Sequence, residues 1–184
     1  MGTRGLVGLY YKGQTKVTYN HFDSYPESVG CKILKECKVF KIEEMKKAFE
    51  NIVLVKENTM PTKEQIEECK KFSDITVSEK TLKEWYCLLR KAQGTLKPYF
   101  EGKLKYMIDS LCFIQDSLFC EWVYIINLDS EVLEIYSGYQ KNKQFDEKNR
   151  YSEEYLTCKL IHVYPLNNLP TAKAFVNDLK GDDE

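Results

Sequence analysis

The chain has 184 residues, with 27 Lys and Arg against 28 Asp and Glu, a formal net charge of −1. Hydrophobic residues make up 43% and charged residues 30%, the mix of a soluble domain; the length suits one α+β unit over residues 1–184. Near-neutral charge excludes indiscriminate coating of nucleic acid, and no run of about 18–20 apolar residues is present to span a membrane.

The first segment, Thr3 to Tyr11, is β-rich and apolar on both alternating faces, which predicts a strand buried inside a sheet. Lys12-Gly13 supplies a turn and Thr15–Tyr19 the returning strand. Residues 20–30 are too polar and too punctuated by Pro26 and Gly30 for a regular element, and read as a conformationally specified loop. A helical block over about 31–94 follows. Ile33, Leu34, Cys37 and Phe40 mark one apolar stripe, and Met45, Ala48, Phe49 and Ile52 mark another. Thr62 and Gln65 have the spacing of a capping box ahead of Ile66, Cys69 and Phe72. Ser78 is placed to cap a fourth helix with Leu82, Trp85, Tyr86 and Leu89 on one side, ending near Gly94.

From Trp122 the period changes. Residues 122–126 and 132–136 read as a hairpin about the turn residues Leu128–Glu131; 137–152 reads as a long polar loop. Leu156–Tyr164 reads as a fifth strand. Asn168-Leu169-Pro170 starts a last helix with Ala172, Phe175, Val176 and Leu179 inward, and an acidic tail closes the sequence. Strands at both ends around a block of helices predict an α+β fold: a mainly antiparallel sheet of about five strands, in the order β-β-helices-β-β-β-α, packed with a helical insertion.

The chemistry that the residues can support is limited. Seven cysteines, an odd number with no Cys-x-x-Cys, read as buried free thiols of an intracellular, cytoplasmic protein, and two histidines give a metal centre little to work with. The start Met1-Gly2 has Leu6 where the myristoylation pattern wants Ser or Thr, and no apolar signal core follows. Neither a phosphate-binding glycine fingerprint nor a nucleophile elbow is present, so no cofactor and no metal is expected. The one dense constellation is His21-Phe22-Asp23-Ser24-Tyr25-Pro26. If the backbone is extended there, His21, Asp23 and Tyr25 project to one side, and Arg4 from the first strand can approach them. That arrangement suits a small hydrolase or an anion-binding pocket, with His21 as general base. The plainer reading is a rigid loop whose polar groups bond local backbone.

Charge is unevenly spread. Residues 90–105 carry Arg90, Lys91, Lys97, Lys103 and Lys105 against Glu101, a net +4; residues 141–150 carry Lys141, Lys143, Lys148 and Arg150 against Asp146 and Glu147, a net +2. Both stretches contain aromatics, and cations for phosphates beside rings for unpaired bases suit RNA. Solvated surface lysine is the commoner explanation of such runs.

Four segments carry a resemblance: Met1-Gly2-Thr3-Arg4, His21–Pro26, Cys120–Asp129 and Tyr164–Pro170. Together they resemble a family of fungal, other microbial and viral proteins that reads Met-Gly-Thr-Arg, then Gln/His-Trp/Phe-Asp-Gly/Ser-Tyr-Pro. Ser24 and Asn127 stand where that family more often has Gly and Asp, and the helical middle is much less similar. The resemblance is strongest to the family's microsporidian dormancy factor branch. It implies a non-enzymatic, monomeric ribosome hibernation factor. Such a protein sits at the tRNA exit site (E-site) among rRNA and ribosomal proteins and inhibits translation, without binding DNA or membrane. A viral inhibitor of a host protein is a further reading of the same binding-module character.

Overall fold

The protein's structure, a computed structural model, describes residues 2–77, 82–140, 149–151 and 156–180. Strand β1 (Gly5–Tyr11) pairs antiparallel with β2 (Gln14–Asn20) across the Lys12-Gly13 turn. Both turn residues have positive φ, 51° and 72°, the backbone that two-residue hairpin loops need to match strand twist. Asp129 fastens this turn by accepting from the Lys12 and Gly13 amides at 2.9 and 3.1 Å. Gly8 is required by crowding: a Cβ there would lie 2.2 Å from the Lys16 carbonyl oxygen of the neighbouring strand.

The helical block contains α1 (Cys31–Val39) and α2 (Ile42–Asn51), a short strand β3 (Val53–Val55), and α3 (Lys63–Cys69). The short helices α4 (Trp85–Leu88) and α5 (Lys97–Phe100) precede strand β4 (Tyr106–Ile108). The Thr62/Gln65 capping box forms as expected, with Thr62 N–H donating to Gln65 Oε1 at 2.8 Å. The fourth helix is shorter than its stripe predicts. The Cys87 carbonyl, which a continuing helix would pair with Lys91, accepts instead from the Asp74 amide, and the chain tightens to a 3₁₀ turn over Arg90–Ala92. Its expected cap, Ser78, lies outside the described residues. Residues 20–30 are a loop only as far as Tyr25; Pro26–Gly30 winds into a single π-helical turn that feeds α1.

The last three strands are β5 (Trp122–Asn127), β6 (Val132–Ser137) and β7 (Lys159–Pro165), followed by α6 (Ala172–Lys180). The sheet order is β2-β1-β5-β6-β7, antiparallel throughout except for the parallel pair β1–β5. The α+β expectation therefore holds, with one parallel join and a separate two-stranded parallel sheet of β3 and β4. β7 begins at Lys159 and not at Leu156, because residues 156–158 bond to the 114–117 segment. In α6, Phe175 and Leu179 are buried as expected, whereas Ala172 is exposed on the first turn.

Alternation in the central strands is what makes two cores. Val7, Leu9, Tyr124, Ile126, Leu133 and Ile135 face Ile33, Met45, Phe49, Leu88 and Phe175 from the helices. Leu6, Val17, Val123, Ile125 and Tyr136 face the other way onto Ile114, Cys120 and Cys158. All seven cysteines are free; five are buried, Cys31 is half-buried and Cys112 is exposed, against the expectation that all are interior.

Candidate nucleic-acid interface

One end of the sheet gathers the residues of interest. Gly5 is opposite both Asn20 and Trp122, Trp122 is opposite Ser137, and Ser137 is opposite Lys159. The segments just beyond these positions, 2–4, 21–25, 116–121 and 138–140, therefore lie side by side. Backbone hydrogen bonds continue past the strand ends: Ser24 N–H to Thr3 O, Glu121 N–H to Arg4 O and Gly138 N–H to Glu121 O, at 2.9–3.1 Å.

Within the 21–25 loop the backbone is not extended. Asp23 is left-handed, with φ 54°, so the alternation that would align His21, Asp23 and Tyr25 is broken. The buried Ser24 fixes the loop. Its carbonyl accepts from the Tyr124 hydroxyl at 2.8 Å, and its Oγ bonds Asn20 Nδ2 at 2.7 Å, a contact that glycine could not make. The Asp23 carbonyl accepts from Val29 N–H, and Pro26 is buried at the start of the π turn. His21 is held by its own strand: Nδ1 lies 2.7 Å from the Tyr19 hydroxyl, and the His21 amide donates to Gln93 Oε1 at 3.2 Å. Burial, then the nearby Arg90 and Arg4 cations, lower the His21 pKa below its ordinary 6.5, so the ring is neutral at pH 7. Among the described residues no hydrogen bond joins His21 to Asp23.

The loop holds aromatic rings in solvent. Phe22 is 52% exposed and Tyr25 47%; from the neighbouring segments come Phe119 at 50% and Tyr139 at 60%, with Leu118 beside Phe119 in sequence. Two of these rings carry an arginine. The Arg4 guanidinium lies 5.6 Å from the Phe119 ring centroid, and Arg90 lies 5.1 Å from Phe22 and 5.4 Å from Tyr86. Arg90 is steadied by Gln93 Oε1, which also receives the His21 amide. Glu121 organises the other side, accepting from the Arg4 amide at 3.3 Å. Partial desolvation, then the neighbouring Glu121 carboxylate, push the Tyr139 pKa up to about 12. Tyr139 also sits at φ 55°, following Gly138, where a Cβ would meet the Cys120 carbonyl oxygen at 2.1 Å.

The two basic stretches expected to face RNA differ in what the structure describes of them. Lys97 and Lys103 both reach Glu101, at 3.7 and 2.8 Å, and Lys105 pairs with Glu68 at 2.8 Å. These pairs are exposed and weakly held, so the lysines remain exchangeable for phosphate; Lys91 is exposed on the 3₁₀ turn. Lys141, Lys143 and Lys148 lie outside the described residues. Arg150, expected to face RNA, is committed to the fold. Its two terminal nitrogens bind both oxygens of Glu134 at 2.5 and 2.6 Å, and its guanidinium lies 4.0 Å from the Tyr10 ring centroid. Glu134 is only 4% exposed and is further bound by Asn127 Nδ2 and the Tyr136 hydroxyl. Releasing Arg150 would strand a buried carboxylate.

Tyr139 is among the aromatics flanking the second basic stretch in the sequence, whereas Phe119 and Leu118 carry no such mark. The only signal for Phe119 and Leu118 there is negative: a Leu-Phe pair in polar surroundings, outside any amphipathic period. The Glu134–Arg150 pair left no signal, because a carboxylate in mid-strand commonly marks a solvent face.

The fold and this surface together define an α+β domain presenting an arginine-bearing aromatic end to its sheet. The chain matches no family model, no characterised protein and no solved structure. Among the described residues, no helix is long and apolar enough to cross a membrane, and no group of His, Cys, Asp and Glu could hold a metal ion.

Proposed function

We propose that the protein is a ribosome-binding dormancy factor. In this reading it is a non-enzymatic module that occupies the tRNA exit site of idle ribosomes, as its resemblance to microsporidian dormancy factor one implies. One observation carries the reading beyond resemblance. The family-motif residues Arg4, His21, Asp23 and Tyr25 surround an exposed aromatic surface charged by Arg4 and Arg90. That is the chemistry of docking on RNA. His21 bonds the Tyr19 hydroxyl and makes no hydrogen bond to Asp23, so the His–carboxylate pairing that the hydrolytic reading needs is missing, which supports a binding role. Near-neutral charge fits a mixed rRNA and protein environment, because a uniformly basic protein would bind RNA indiscriminately.

The test is co-sedimentation. Purified protein mixed with vacant 80S ribosomes should travel with them through a sucrose gradient at low salt. Deacylated tRNA, which seeks the exit site, should compete with it, and raising the salt should release it. Failure to co-sediment at low salt removes the reading. Turnover of a hydrolysable ester that is lost in His21→Ala would replace it with the enzymatic one.

A further inference from the structure

We propose that the open end of the sheet is a stacking platform for unpaired RNA bases, with Phe22 and Phe119 as its rings and Arg4 and Arg90 as its phosphate contacts. The inference rests on the RNA-docking reading above and names the ligand class for that surface.

Three features point to bases and not to a duplex. First, Phe22 and Phe119 each pair a half-open ring with an arginine, at 5.1 and 5.6 Å, so each offers a stacking surface and a positive charge together. Base faces are available to such rings only when the bases are unpaired, since duplex RNA keeps its faces stacked inward and shows phosphates and edges. Second, the charge here is sparse. Gripping a duplex by its backbone needs many cations; two arginines suit a short single strand. Glu121 is turned to the backbone here, its Oε1 accepting from the Arg4 amide at 3.3 Å.

Third, the platform is pre-organised. Ser24 is pinned by Thr3, Asn20 and Tyr124, while the left-handed Asp23 and Tyr139 set the backbone next to Phe22 and after Gly138. A surface that is already ordered loses little entropy on binding, which favours the weak, sequence-tolerant stacking that single strands offer. Apolar surface of this kind also suits a protein partner, but a cation resting on two of its rings favours an anionic one.

The experiment is fluorescence anisotropy with the full chain, using octaadenylate labelled at one end and a blunt RNA duplex of the same length, at low salt. Octaadenylate should bind at least about tenfold more tightly than the duplex. Phe22→Leu and Phe119→Leu, which keep apolar volume but lose the ring, should each weaken octaadenylate about fivefold or more, with an unchanged circular dichroism spectrum. Arg4→Gln and Arg90→Gln should each reduce the slope of log affinity against log salt by roughly one. Equal affinity for the two RNAs, or leucine variants within about twofold of the parent, overturns the proposal. So does loss of ribosome co-sedimentation in the leucine variants when octaadenylate does not bind at all, which would make the platform a protein dock and leave the ribosome reading standing. Ring-dependent binding of octaadenylate without co-sedimentation supports the platform and removes the ribosome reading.

Discussion

Replacing Arg150 by Met should destabilise the protein far more than losing a surface cation would. In the native fold the guanidinium binds both oxygens of Glu134, whose side chain is 6% exposed against 27% for Arg150. Arg150→Met leaves that carboxylate with Tyr136 Oη at 2.9 Å and Asn127 Nδ2 at 2.8 Å as its remaining donors. Breaking a buried pair costs about 3–5 kcal/mol. Water can enter from the Arg150 side, so the lower figure applies, about 3 kcal/mol, which for a chain of this size lowers Tm by about 6–12 °C. Glu134→Gln is milder, about 1–2 kcal/mol, because the half-exposed guanidinium can hydrate. The double variant removes the stranded charge and should lose less than the two singles together, with a coupling of about 2 kcal/mol. Urea unfolding of the four proteins, followed by far-UV circular dichroism, measures it. Additivity within about 0.5 kcal/mol would refute the argument, since it would mean that the carboxylate is solvated without its arginine.

Four further outcomes follow from the geometry. Gly138→Ala should cost roughly 2 kcal/mol or more in the same urea assay, because the new Cβ meets the Cys120 and Ser117 carbonyl oxygens at 2.1 and 2.6 Å. Gly13→Ala is its control: nothing lies within 4 Å, only the φ of 72° is strained, and the loss should be about 1 kcal/mol. Lys16→Met should destabilise by about 1–2 kcal/mol in thermal unfolding, since the Lys16 Nζ donates to the Phe49 and Ile52 carbonyls at the end of α2, at 2.8 and 2.7 Å. The His21 pKa is lowered by burial and by Arg90 and Arg4, so the unfolded chain takes up this proton first. His21 stabilisation is therefore complete above the unfolded value of 6.5 and declines as pH falls through the window below it. A His21→Asn variant should show a flatter Tm profile across that window, and an unchanged slope would contradict the assignment.

Much of the scaffold follows from local pattern. Thr3–Tyr11 carries apolar residues on both faces, and β1 is indeed buried on both, between β2 and β5. The stripes of α1 and α2 and the Thr62 cap are legible because each is settled within a few residues. What local pattern misses is set at long range. β3 and β4 are three residues each, too short to show a period, and exist because they pair with one another across some fifty residues of chain. The stripe beginning at Leu82 reads as helix throughout, yet Asp74 takes the Cys87 carbonyl and the helix stops at Leu88. Arg150 reads as a free cation because its partner is sixteen residues away on a strand face whose burial no periodicity reveals.

The candidate surface depends on the one parallel join. Because β1 and β5 run the same way, Gly5 lies opposite Trp122, and the residues preceding each strand meet. Arg4 thus comes to rest on Phe119, 115 positions away, and its amide reaches Glu121. An antiparallel pairing of the same two strands would set Arg4 beyond Asn127, beside the Asp129 turn, and leave Phe119 at the opposite end of the sheet. β2 ends and β5 begins at the same end of the sheet, both opposite Gly5, so the helical block between them returns the chain to the end it left. That block contributes Arg90 over Phe22, with Tyr86 beneath the guanidinium and Gln93 holding it, while Phe22 and Phe119 come from outside it. A substitution deep in that block, such as Phe49→Ala, which strips a buried ring from the β1 side of the core, should thus weaken octaadenylate binding only as far as it unfolds the protein. Arg90→Gln should weaken binding with stability unchanged. Anisotropy and urea unfolding measured on the same two variants separate scaffold from surface.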